Sequence, residues 1–134
     1  QVASILEGRA TRGELWAKSF VLGVVGFGAA MLVSVVVPGF LAFAAMVVLV
    51  VVLVGVQMTV IARRLHDRDK SGLYVVFFYG LPLLMDAVAW RAAESVLATA
   101  ATFASGVIAL WAFVEIFCLP GTAGPNRFGP DPRR

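Results

Sequence analysis

The sequence predicts an all-α integral membrane protein: four transmembrane helices in two antiparallel hairpins, then a Pro/Gly-rich cytoplasmic tail. Three observations carry this. Composition is the first: 60% of the residues are hydrophobic and only 14% charged, against roughly 25% charged in an average soluble domain. Mean hydropathy is +0.92, and a domain this small exposes too much surface to hide so much apolar side chain from water. The second is the recurrence of long apolar runs, at about 20–37, 40–62, 72–90 and 100–119. The third is charge placement: ten of the eleven basic residues lie in three segments that an even number of crossings puts on one side. The 134 residues are read as a single membrane domain.

Residues 1–10 are too short and mixed to span a bilayer, and the chain begins with Gln1 rather than Met, so some preceding sequence is expected. Thr11-Arg12-Gly13-Glu14 has the form of a capping box, with the Thr11 hydroxyl accepting from Glu14 N–H and the Glu14 carboxylate reaching back. Trp16 and Lys18 suit the headgroup layer. The first span, Phe20 to Val37, has 18 residues, about 27 Å of helix and near the minimum for the hydrocarbon core. Gly26, Ala30 and Ser34 lie four residues apart and form a small-residue strip suited to close helix packing.

Pro38-Gly39 signals a tight turn. The second span, Phe40 to about Ala62, is so rich in Val and Leu that periodicity cannot separate strand from helix; its length selects a membrane helix. Its polar residues Gln57 and Thr59 are expected to hydrogen-bond across helices. Ala42-Phe43-Ala44 looks like a signal-peptide cleavage site, but the apolar stretch before it is too long and more hydrocarbon follows.

The stretch from Arg63 to Gly72 interrupts the hydrocarbon. It contains four of the eleven basic residues, two of the eight acidic ones and the only histidine. It is expected to lie in water or among headgroups as the hinge between hairpins. Ser71 then caps the third span, Gly72 to Trp90, where Pro82 predicts a kink because it cannot donate to the Phe78 carbonyl. Asp86, Arg91 and Glu94 are read as a polar patch on the outer surface. The 92–99 segment is either a surface helix or the start of span four, which repeats the small strip at Ala101, Ser105 and Ala109. Glu115 is the one acid placed within hydrocarbon. It is expected to pair with Arg63 or Arg64 and so lock span four to span two. Pro120-Gly121 ends that helix, and the tail to Arg134 carries four of the six prolines.

The base distribution predicts both termini and the central hinge on the cytoplasmic side, with only Arg91 opposite. The net charge of +3 therefore points to anionic headgroups rather than nucleic acid. A single cysteine and a single histidine exclude an internal disulfide and the usual Zn sites; Cys118 is read as a small hydrophobe. His66 next to Asp67 is weak support for catalysis, since neighbours on a helix face apart and only Ser71 offers a nucleophile. No phosphate loop, metal-ligand spacing or nucleophile elbow occurs. No catalytic, cofactor or metal site is therefore expected.

Arg63-Arg64-Leu65-His66-Asp67 followed by Ser71-Gly72, together with Cys118-Leu119-Pro120-Gly121-Thr122, Gly124 and Asn126-Arg127-Phe128-Gly129-Pro130-Asp131-Pro132, resembles the bacterial inner-membrane family catalogued as domain of unknown function 805. The opening Gly8-Arg9, Arg12 and Glu14-Leu15-Trp16 is similar too. Leu73 departs from the family's usual aromatic after Ser-Gly, and Glu115 is outside the pattern. The resemblance implies a small four-span membrane protein and no particular reaction. It also turns the tail from a flexible end into a segment expected to fold back on the 63–72 stretch. There Asn126 and Asp131 form turns, Arg127 pairs with Asp67 or Asp69, and Phe128 wedges at the interface. The functional expectation is a non-enzymatic accessory or assembly subunit of a larger inner-membrane complex, in contact with lipid and with other membrane subunits. The alternatives are a small carrier or channel, a lipid-handling protein, or a membrane enzyme using His66 and Asp67.

Overall fold

The computed structural model describes residues 8–133. Expectations for the first seven residues, and the basic charge of Arg134, lie outside the described residues. Within them the chain is helical, apart from one isolated β-bridge in the tail between Asn126 and Gly129. Helix α1 spans Arg12–Val36 and α2 spans Gly39–Asp67. A π-helical turn, Val76–Gly80, leads into α3, Leu81–Arg91. Helix α4, Val96–Phe113, ends in a second π turn, Val114–Cys118. Three helical stretches are long and apolar enough to cross a membrane: Arg12–Val36, Gly39–Asp67 and Val96–Cys118. The helical run over 74–91 is about 27 Å long at the α-helical rise, with the π turn inside it.

Thr11 caps α1 through its side chain, which accepts from Glu14 N–H at 3.1 Å. The reciprocal half of the capping box is replaced by a Glu14–Lys18 ion pair one turn along the helix. Between α1 and α2, Pro38 supplies an extended N-cap and Gly39 takes φ +57°, a conformation that costs a residue with a Cβ about 1–2 kcal/mol. The two helices return on each other. Gln57 donates to Ser19 Oγ at 2.9 Å, and Leu53 lies against Gly26, where a Cβ would meet Leu53 Cδ1 at 2.7 Å. The small strip of α1 thus makes its close approach at Gly26. Thr59 does not bond across helices as expected; it turns back to the Val56 carbonyl of its own helix.

The central stretch is shorter than anticipated. Helix α2 continues through Arg63, Arg64, His66 and Asp67 and ends in a Schellman motif. Lys70 N–H bonds to Leu65 O at 2.9 Å, and Asp69 N–H bonds to His66 O at 3.0 Å. Asp69 takes φ +56° there, a conformation Asp tolerates better than most side chains. The Pro82 irregularity takes the form of the π turn just upstream, which absorbs the break in the ladder at the Phe78 carbonyl. Span four starts at Val96 with Ser95 as N-cap, accepting from Ala98 N–H at 3.1 Å, so most of the 92–99 segment belongs to this helix.

Packing is uneven. Helices α3 and α4 lie against each other, as do α1 and α2, but the backbones of the two pairs approach closely only at the second π turn. The buried core sits at that end: Leu15, Val60, Ile61, Leu65, Phe78, Ala112 and Ile116. Trp111 meets Phe78 edge-on at 5.3 Å, and Trp16 meets Phe117 edge-on at 5.1 Å. Away from this end the helices present large exposed apolar side chains, among them Phe20, Phe27, Phe40, Val51 and Phe103.

Candidate functional site

Charged and polar residues converge at the packed end, where the C-termini of α2 and of the α4 π turn come side by side. Both leave backbone carbonyls without intrahelical donors. The arginines supply donors to one end. Arg64 Nε donates to Ile116 O at 3.0 Å and its Nη2 to Leu119 O. Arg12 reaches Cys118 O at 2.8 Å, and Arg68 reaches Pro120 O at 2.6 Å. The tail returns the service to α2. Asp67 O accepts from Thr122 N–H at 2.8 Å and from its hydroxyl at 2.9 Å, and Asn126 Nδ2 donates to His66 O at 2.9 Å. Each helix end is thus capped by the other's chain, and cations sit at the negative end of both helix dipoles.

Asp67 is the centre of this arrangement. Its side chain is 2% exposed. One carboxylate oxygen accepts from Arg9 Nε at 3.0 Å and Nη2 at 2.9 Å; the other accepts from Arg64. Arg9 also donates to Gly124 O and Thr122 O, both at 2.6 Å. One guanidinium therefore ties the segment before α1 to the tail and to α2. Gly121 packs directly on the Asp67 carboxylate, where a side chain has no room.

Glu115 corrects an expectation. It is buried, and it pairs with Arg68 at 2.6 Å and Lys70 at 2.9 Å rather than with Arg63 or Arg64. Arg64 is already engaged by Asp67, three residues along the same helix face. Glu115→Gln leaves two partly exposed cations without their shared carboxylate. It is expected to lower stability by about 1–3 kcal/mol, read as the unfolding midpoint in detergent; an unchanged midpoint would contradict the pairing.

Arg127 pairs with Asp69 at 3.2 Å and also donates to its carbonyl at 2.6 Å. Phe128 stacks on His66, with ring centroids 4.0 Å apart and nearly parallel planes. Asp131 closes the tail turn by accepting from Gly124 N–H at 3.0 Å and pairing with Arg133 at 2.8 Å. The Arg133 hydrogen bond holds the Asp131 carboxyl below its ordinary value of 3.8. A depressed folded value means that the Asp131 contribution is fully present above 3.8 and is lost only as pH falls through the lower value. Tail protection from protease is therefore expected to fall as pH drops below 3.8. A tail that keeps its protection unchanged well below 3.8 would contradict this turn.

Arg63 faces the segment before α1: its carbonyl accepts from Ala10 N–H at 3.0 Å, and its guanidinium lies beside Gly8. Ser71 Oγ accepts from Leu73 N–H at 3.3 Å. Gly72 packs against Ala62 and the His66 ring. Asp86, Arg91 and Glu94 are all exposed, and among the described residues they make no ion pair with one another. Cys118 is an exposed free thiol.

Arg9, Arg12, Arg68, Gly121 and Thr122 are the contributors that sequence reasoning missed. The available signal was the Gly8-Arg9 and Pro-Gly-Thr spelling of the family resemblance, which placed residues of interest without assigning their bonds. Conversely, the bases expected to face lipid headgroups act here in large part as caps on helix carbonyls.

The class defined by this fold is a small, all-helical membrane protein whose chain ends are knotted at one face by buried arginine and aspartate. Residues 4–130 match the family model described as "Protein of unknown function (DUF805)", and the chain belongs to that family. It is similar to "Inner membrane protein YhaI" of Escherichia coli (strain K12), at 29% identity over 126 residues, covering 94% of this chain and 84% of that protein. The protein of the same name in Escherichia coli O157:H7 matches equally, at 29% identity over 126 residues. No solved structure matches.

Proposed function

We propose that this protein is a four-span inner-membrane subunit, with both termini and the hinge cytoplasmic, that assembles with a larger membrane protein rather than performing a reaction. One observation carries the reading. The acids that resembled part of an active site are consumed in structure: Asp67 by two guanidiniums and Glu115 by Arg68 and Lys70, so that neither is free to serve His66 as a partner. A general acid or base has to present its proton to a substrate, and these groups face partners within the chain. The two helix pairs meant for the bilayer diverge from the knotted end and leave long apolar faces. Such faces suit packing with further transmembrane helices.

Three further points support the topology. The 74–91 helical run is near the length of a minimal span. Basic residues concentrate at the knotted end and Arg91 lies at the other. The relative named above is an inner membrane protein. The test is purification in mild detergent from native membranes. A larger membrane protein recovered in stoichiometric amount, and lost on substitution of Val51 or Phe103 by Glu, is the expected result. A chain that runs alone, or only with copies of itself, contradicts it.

A further inference from the structure

Beside the knotted end, on the surface of α2, lies a groove of about 370 Å³ lined by Met58, Thr59, Ala62, His66, Leu73 and Val75, with Ser71 and Gly72 at its mouth. Apart from the Thr59 hydroxyl, which donates to the Val56 carbonyl, its floor is apolar and extends roughly two turns into the span; the other polar groups collect where α2 ends. His66 defines the mouth. Its Nδ1 lies 3.2 Å from the Gly8 carbonyl oxygen, which can only accept, so Nδ1 carries the ring proton in the neutral form. Nε2 is then a lone-pair acceptor. It faces Gly72, where a Cβ would stand 3.2 Å from Nε2 and 3.2 Å from Ala62 Cβ. Among the described residues nothing donates to Nε2. Stacking on Phe128 holds the ring plane. The acceptor is therefore fixed, oriented and placed at the head of a hydrocarbon-lined slot.

The charge around this mouth is positive. The Arg63 guanidinium lies beside Gly8, on the Nδ1 side of the same ring, and pairs with no carboxylate among the described residues. Arg127 lies 4.8 Å over the Phe128 ring that stacks on His66. This environment suits an anion whose head also carries a hydrogen-bond donor, on an apolar tail. An ammonium head satisfies the acceptor but meets like charge.

We propose that the groove binds an anionic phospholipid with a hydroxyl-bearing headgroup: a head hydroxyl donates to His66 Nε2, the phosphate faces Arg63, and an acyl chain lies along Met58, Ala62, Leu73 and Val75. This goes beyond the assembly reading and does not depend on which protein is the partner.

The chain has a single histidine, so ¹⁵N-histidine labelling reports on this ring alone. The full chain is placed in phosphatidylcholine nanodiscs with increasing phosphatidylglycerol or, as a matched anion without a head hydroxyl, phosphatidylmethanol. The Nε2 resonance is expected to move saturably with phosphatidylglycerol and not with phosphatidylmethanol. Leu73→Glu changes an exposed wall position and puts a carboxylate where the acyl chain of an anionic lipid lies. It is expected to raise the half-saturating phosphatidylglycerol fraction by about tenfold, the size of one modest polar contact. The Nδ1–H signal retained in that variant shows that the His66–Gly8 contact is intact. Gly72→Ala, which narrows the mouth, is expected to act in the same direction. No movement with phosphatidylglycerol, equal movement with phosphatidylmethanol, or unchanged titration in both variants overturns the proposal.

Discussion

Asp67→Asn is expected to be the most damaging conservative substitution at the knotted end, lowering stability by about 3–5 kcal/mol. The size follows from burial. Arg9 and Arg64 have side chains 1% and 0% exposed, and Asp67 is the carboxylate that both of them meet. Removing its charge leaves two guanidiniums in a site closed to water, balanced only by the dipoles of the Ile116, Leu119, Thr122 and Gly124 carbonyls. The amide also presents two donors toward groups that are themselves donors. Asp69→Asn is the internal control. Its pair with Arg127 is 47% and 60% exposed, so solvent screening limits the loss to about 0–1 kcal/mol. Unfolding titrations of the two variants in one mixed-micelle system compare them directly. Equal losses would mean that Asp67 is hydrated in the membrane-embedded protein.

Gly121→Ala is expected to cost about 3 kcal/mol, at the upper end for overpacking a close-packed site. An added Cβ falls 1.8 Å from Asp67 Oδ2 and 2.5 Å from its Cγ. At most of the glycines an added Cβ meets nothing within 4 Å, and at Gly26 the flexible end of Leu53 can swing away. Here the obstacle is a carboxylate gripped from two sides by Arg9 and Arg64, so relief requires breaking those bonds or moving the tail. Gly106→Ala meets nothing within 4 Å and replaces a helix-interior glycine, so it is expected to be neutral or stabilising by up to about 1 kcal/mol. A near-neutral Gly121→Ala would show that the 119–122 turn is looser than this packing requires.

Much of the helical layout was legible because it follows from local rules. Apolar length marked three long helices fit to cross a membrane, Pro38-Gly39 marked the first reversal, and Thr11 occupies the cap that its short oxygen side chain favours. Helix ends were harder. Arg63 to Asp67 reads as part of a hinge because eight of the ten residues from Arg63 to Gly72 are polar or charged, yet it is the last turn of α2. The sequence does not display what makes that possible: carbonyls from Ile116 to Gly124, more than fifty residues away, accept from Arg9, Arg12, Arg64 and Arg68.

The same reason limited the site. Glu115 stood out as an acid in hydrocarbon, but its partner depended on which face of α2 meets the π turn. Arg64 points toward Asp67 and Ile116 O, which leaves Glu115 to Arg68 and Lys70 just past the helix end. Arg9 had no periodic context at all. Its importance comes from the segment before α1 lying against the end of α2, where Ala10 N–H meets Arg63 O. Residues of the Pro/Gly tail were legible as a group through their family-like spelling, whereas their individual bonds to His66, Asp67 and Asp69 are products of the fold.

The central claim is that Arg9, Asp67 and the tail form one lock. Tryptic cleavage after Arg127 in the detergent-solubilised protein tests it most directly, because Arg127 lies in the segment that the lock holds down. Wild-type protein should be cut slowly at this bond, and Asp67→Asn and Arg9→Met should each expose it, with cleavage rising by tenfold or more for each roughly 1.4 kcal/mol of lost closure. Cleavage after Arg127 at the same rate in all three proteins would contradict the account.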